Sequence, residues 1–383
     1  NIVSLDTPYL LYTFFNNEEI YVTYEALQAV DYEGEYENIY EIFNIVEKVL
    51  VENLGLVTVN DVLALEISME NRELLSNENV HAVLDIVTEV INLELLSVLY
   101  EPAYGRVKFG SAMDPFMGLL DISEYDATLL VEDLNNIIEA VHELVDLNVL
   151  GFALFEEELD WANSSAVSNL VETIFGLNYL RVKTDDIISY VSENIYDIST
   201  IKASQIDLAA DGLLIGEAVD ILLETLIVSG RIEFNSMDDL EALTSIDIMA
   251  LIENEVLLNV LDAVQCIVDT TIVKAATGFV VEKHEDFVPA DFLFVFETGI
   301  TGDELHEDIC SIITIAREVV ESDMYQIVTG KDISLVGISG HINRILDELL
   351  HLNIISIDTA HIIQNVLAMA GIEVEYEDLA AVD

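Results

Sequence analysis

The sequence predicts a mainly α fold: a tandem helical-repeat array with short strand-like connectors. Three observations predict it. The segment DLNNIIEAVHEL at 133–144 recurs as DICSIITIAREV at 308–319, and seven of the sixteen positions Leu130–Val145 are identical to Leu305–Val320. Eight amphipathic stretches follow one another at alternating short and long spacings, the rhythm a repeat array leaves. With 52% hydrophobic residues and only 4 prolines in 383, the chain has ample material for a continuous core.

Each stretch carries apolar residues at i, i+3, i+4 and i+7, the mark of a helix with one buried face. In order they are 39–50, 80–91, the segment from Asp133, 166–177, 217–228, 256–267, the segment from Asp308, and 341–352. Odd members are A helices and even members B helices. One A–B unit takes about 88 residues, and two make a super-repeat of about 176. The longer period is supported by Val83-Leu84-Asp85 matching Val260-Leu261-Asp262, and by Leu177-Asn178 matching Leu352-Asn353. Cys310 aligns with Asn135.

The predicted units are therefore 39–132, 133–216, 217–307 and an incomplete 308–383, with 1–38 the end of a preceding unit. Neither end shows the polar cap expected of a terminal repeat, so a polypeptide that continues in both directions is expected. Helix starts are signalled by Thr184-Asp185-Asp186, by Thr301–Glu304 as a capping box, by Asp358-Thr359, and by Ser164 or Ser165 ahead of Ala166. Strand-like pieces are expected at 106–109, 278–289 and 292–296, which leaves α+β repeats as the fallback.

Charge narrows the partners. Thirteen Lys+Arg against 73 Asp+Glu give a formal net charge of −60. Such a chain repels nucleic acid and anionic lipid, and it needs salt or divalent cations to screen its self-repulsion. No charge-free apolar run is long enough for a membrane helix. Two cysteines make no disulfide framework.

The acidic residues suggest calcium, since alternating carboxylates suit a hard cation. Asp31, Glu33 and Glu35 alternate in that way, and Asp207 with Asp211 precedes Gly212 as in a calcium loop. Both departures from the EF-hand pattern are plain: the first lacks its glycine and final Glu, the second has Ala209 and Ala218 at ligand places. His142, His284 and His306 each open an HE pair that never completes HExxH, and His341, His351 and His361 are ten apart. No phosphate-binding glycine loop or nucleophile motif is present. No cofactor is expected beyond possible calcium, and no catalysis. Tyr36 and Tyr40 are candidates for a contact surface.

The alternation of A and B helices, with Asn163-Ser164-Ser165 leading into a B helix and Val288-Pro289 between B and A, resembles the helical tandem repeats of very large bacterial surface proteins. The likeness covers the rhythm of most of the chain. It departs at 178–216, which has no proline, and in having only one Asn-Ser-Ser lead-in. It implies an extracellular or cell-surface location and brings no catalytic residue. The expected role is a structural or adhesive repeat segment that self-associates or stacks on neighbouring repeats. The alternatives are a protein- or peptide-binding scaffold, or an enzyme in the cytoplasm of a salt-adapted organism.

Overall fold

A helix leaves its first N–H groups without internal partners, so a short acceptor side chain tends to stand just before it. The computed structural model describes residues 6–18, 22–58, 61, 72–98, 125, 127–191, 203–232, 234, 253–283, 294–296, 300–329, 335–357, 363–364, 367–368, 372 and 374–380. It is mainly helical, and it divides into two compact units, Asn1–Ile187 with Leu226–Ile246 and Ile188–Thr225 with Asp247–Asp383.

In the first unit Asp6 caps α1 (Thr7–Asn17), Thr23 caps α2 (Tyr24–Ala29) and Asp31 caps α3 (Tyr32–Glu47). Then come α4 (Asn77–Ile91), α5 (Ala127–Asp146), α6 (Val149–Phe155), α7 (Ser165–Gly176) and α8 (Asn178–Val191). Contacts run in sequence: α3 packs on α4, α4 on α5, and α5 on α7. Ile138, Ala140 and Val145 form the buried face of α5, and Phe15, Val22 and Leu27 close a smaller core under α1 and α2.

In the second unit contacts also run between successive helices. It holds α9 (Leu208–Leu223), α10 (Asn254–Val268), α11 (Thr271–Lys283), α12 (Gly302–Glu321), α13 (Leu335–Leu350) and α14 (Tyr376–Ala380). Helix α9 packs on α10, α10 on α12, and α12 on α13. Among the described residues the strands are β1 (Phe294–Phe296) and β2 (Ile355–Ile357), antiparallel with Val295 opposite Ser356. Asp207 caps α9 and the Thr301–Glu304 box caps α12 with both of its reciprocal hydrogen bonds. A π turn continues α3 over Lys48–Asn53 and continues α9 over Glu224–Val228, at equivalent places 176 residues apart.

All eight expected amphipathic helices form, but their ends differ. The A helices begin six to nine residues earlier than the apolar stripe does, so positions 39, 133, 217 and 308 lie inside α3, α5, α9 and α12. Their first turns are acidic or glycine-bearing (Tyr32–Glu37, Leu208–Gly212), which a hydropathy pattern reads as loop. Thr184-Asp185-Asp186 lies inside α8 rather than ahead of a helix, and the Thr184 hydroxyl bonds back to the Leu180 carbonyl. Ser164 precedes α7 with no capping side-chain bond; a 3-10 turn over Trp161–Asn163, capped by Asp160, leads in instead.

The expected strand at 278–289 is a helix as far as Lys283, the end of α11; 284–290 lies outside the described residues, as do 106–109 and Asp358-Thr359. Phe279-Val280-Val281 favours β structure locally, but packing overrides it. A Cβ on Gly302 would stand 2.5 Å from the Gly278 Cα, so the two glycines let α11 and α12 approach closely. The 292–296 stretch does contain a strand, β1.

Candidate functional site: four buried carboxylate joints

Each A helix carries a buried acid that meets backbone amides: Glu35 on α3, Asp133 on α5, Asp211 on α9 and Asp308 on α12, which also buries Glu318. A buried carboxylate must be hydrogen-bonded on both oxygens to be tolerated. Each of the four receives backbone N–H groups from the residues that follow the neighbouring B helix.

Glu35 takes the N–H groups of Glu94 (2.7 Å) and Leu95 (3.2 Å). Asp133 takes those of Asn178 (2.8 Å) and Tyr179 (2.9 Å), with the Asn178 amide and the Tyr125 hydroxyl in addition. Asp211 takes Thr271 (2.6 Å), Ile272 (3.0 Å) and the Thr271 hydroxyl. Asp308 takes Asn353 (2.7 Å), Ile354 (2.6 Å) and the Asn353 amide. In all four the clamped dipeptide opens or adjoins a further segment of defined structure: helical residues 94–98, α8, α11 and β2. The carboxylate thus does for that segment what an N-cap does for a helix, from another helix.

Two joints are closed a second way. The Asp31 N–H donates to Glu94 Oε2 at 2.8 Å, and the Asp207 N–H to the Thr271 hydroxyl at 2.8 Å. In each case the helix cap donates to the very residue that the acid one turn later binds.

The five residues expected as calcium ligands, Asp31, Glu33, Glu35, Asp207 and Asp211, are placed by this arrangement. Asp31 Oδ1 accepts from Glu33 and Gly34, and Asp207 Oδ1 from Ala210, as helix caps. Glu35 and Asp211 face inward onto amides, while Glu33 is exposed. They make up none of the converging ligand groups found among the described residues. The carboxylate alternation at 31–35 falls on a capped helix turn followed by a joint acid.

Two of the histidines meet each other rather than form a motif. His81 and His142 meet Nδ1 to Nδ1 at 2.6 Å, with rings 8° from parallel and centres 4.9 Å apart. That centre distance equals the nitrogen contact plus one ring radius on each side, so the rings lie edge to edge in one plane. Their outer nitrogens face Asp146 (2.9 Å) and Asp85 (3.5 Å). His341 bonds Glu318, and His351 the Asp347 carbonyl; His284 and His361 lie outside the described residues.

His306, Cys310 and Asp269 come together, with donor atoms all within 4.8 Å of one another. The sequence shows no sign of this grouping, because Asp269 ends α10 and the other two sit one turn apart on α12, a spacing that forms no short motif. The second thiol, Cys266, is pushed up by burial and then by the nearby carboxylates of Glu217, Asp269 and Asp262.

Of the candidate contact residues, Tyr36 is 70% exposed and Tyr40 57%, and with Ile39 and Phe43 they form one uncovered stripe on α3. At the equivalent places α9 has Gly212 and Gly216, both buried. Among the described residues no single helix is long and apolar enough to cross a membrane; α10 and the first part of α11 reach that length only as a pair bent by 69°.

No family model, curated protein or solved structure matches the chain.

Proposed function

We propose that this chain is a structural or adhesive segment of a large cell-surface protein or filament, built as a tandem array of helical modules that stack on one another. The observation that carries the reading is the recurrence of the carboxylate joint at 35, 133, 211 and 308, with the same kind of backbone partner each time. Glu35 and Asp211 each stand four residues after a capping Asp and are 176 apart; Asp133 and Asp308 are 175 apart. That alternation fits two-module super-repeats.

The bare stripe Tyr36, Ile39, Tyr40 and Phe43 is the docking face in this reading. An apolar aromatic surface of this kind gains most by burial against another of its own type. The reading includes an extracellular setting, no catalysis, no nucleic acid, no membrane insertion, and screening cations around the acidic surface. A peptide-binding scaffold is the second reading, favoured by the same stripe.

Analytical ultracentrifugation and negative-stain imaging of the full chain test it. Association that grows with concentration, ending in fibres or sheets, is expected, and Tyr36→Ser with Phe43→Ser should abolish it. A strictly monomeric chain at all concentrations would remove the assembly reading and leave the scaffold.

A further inference from the structure

The cluster at the end of α10 has a counterpart that explains what is unusual about it. In the first unit Asn92 ends α4, and its side-chain amide exchanges two hydrogen bonds with that of Asn135 on α5, at 3.0 and 2.9 Å. Two neutral amides close that corner completely. In the second unit Asp269 ends α10 and Cys310 occupies the place of Asn135, while His306 replaces Val131. The fold therefore does not require these three side chains.

Their geometry is that of ligands. His306 and Cys310, four residues apart, project from one face of α12. The Nε2 of His306 lies 2.9 Å from the Val268 carbonyl oxygen, so this nitrogen carries the proton and donates it. The lone pair is left on Nδ1, 4.0 Å from Cys310 Sγ. Gln265 Nε2 donates to Asp269 Oδ1 at 2.9 Å and reaches Sγ at 3.6 Å, which orients both remaining donors. A carbonyl behind the imidazole and an amide behind the carboxylate are the outer contacts that metal ligands ordinarily have. All three side chains are half-buried, with access from solvent.

We propose that Asp269, His306 and Cys310 form a mononuclear site for a zinc-class divalent cation, with a water molecule as fourth ligand. The donor set decides the class. A thiolate with an imidazole favours a borderline-soft ion over calcium or magnesium, which take oxygen alone. Ligand bonds of about 2.0–2.3 Å set neighbouring donors of a tetrahedron roughly 3.3–3.7 Å apart, within reach by side-chain rotation from the separations seen. The Cys310 thiol releases its proton to solvent as the Sγ–metal bond forms. The cation then offsets a thiolate beside a carboxylate, in a chain already far on the acidic side.

The other groupings are weaker. Glu318, Glu321 and His341 converge, but Arg344 already supplies a cation to Glu318. The facing nitrogens of His81 and His142 have no third ligand atom beside them among the described residues.

The test is titration of the full chain with cobalt(II), followed by zinc(II), at physiological salt so that the acidic surface is screened. One cobalt per chain should give a thiolate-to-cobalt charge-transfer band and strong tetrahedral visible bands, both removed by one equivalent of zinc. Cys310→Ser should abolish the charge-transfer band and weaken zinc binding at least about tenfold. The double variant Asp269→Asn, Cys310→Asn copies the amide pair of the first unit. It should keep the helical circular dichroism and melting of the parent and show no band. A parent with no charge-transfer band, or zinc affinity unchanged in both variants, would overturn the site and leave only diffuse binding to acidic surface.

Discussion

The described parts of residues 127–179 and 302–354 share several backbone contacts and differ in the side chains around them. In both, an inward Asp (Asp133, Asp308) clamps two amides, and a B-helix Asn (Asn77, Asn254) donates to the last-turn carbonyl of an A helix (Val145, Val320). In both, a left-handed residue follows the A helix: Asn148 at φ 64° and Asp323 at φ 59°. Asn and Asp tolerate that conformation better than other residues with a side chain. The contacts between side chains have changed. Glu143 accepts from Asn169 at 2.7 Å, whereas its equivalent Glu318 meets Arg344 (2.5 Å) and His341 (2.6 Å). His142 faces Asp85 at 3.5 Å, where Arg317 grips Asp262 at 2.6 Å. Buried peptide groups must find partners, so the residues that serve them persist. Half-exposed ion pairs contribute about 1 kcal/mol or less, so their chemistry can drift.

The largest test of this contrast is to remove the joints. Asp133→Ala and Asp308→Ala each strand two half-buried N–H groups, and each should cost about 2 kcal/mol or more. Urea midpoints measure the cost, and hydrogen exchange should show loss of protection at Asn178-Tyr179 or at Asn353-Ile354. A large loss for one Asp and none for the other would end their equivalence.

A smaller effect should appear in acid. Hydrogen bonding from Arg344, then from His341, holds the Glu318 carboxyl below its usual range, against the opposing effect of burial. A lowered folded value means stability that is present above the unfolded value of about 4.3 and lost as pH falls through the folded one. Arg344 is pushed up by the same bond, and so stays charged throughout. Acid titration followed by circular dichroism should show Glu318→Gln less stable than the parent at neutral pH, with the gap narrowing below about pH 4. A gap that stays constant would mean the bond, not the charge, matters.

The smallest effect belongs to the drifted pair. His142→Arg writes the second region's contact into the first, and Arg317→His does the reverse. Either should change stability by about 1 kcal/mol or less. A change of several kcal/mol would show that the edge-to-edge pairing with His81 has become structural.

What was legible in the sequence follows from range. The stripes of all eight helices are local, and they read correctly. Asp133 and Asp308 stand out as identical residues, yet their purpose is invisible because the amides they bind lie 45 and 46 residues away. Glu35 and Asp211 show in the sequence only as charge, since nothing nearby reveals that they point inward. Phe279-Val280-Val281 read as a strand because the close approach of Gly278 to Gly302 belongs to the tertiary structure. The Asp269, His306 and Cys310 grouping has the same cause.

The joints bind Glu-Leu, Asn-Tyr, Thr-Ile and Asn-Ile. A latch that grips peptide N–H groups accepts different dipeptides, and Asn178, Thr271 and Asn353 each add a side-chain bond to it. Modules joined in this way can keep the same joint while differing at the residues it closes on.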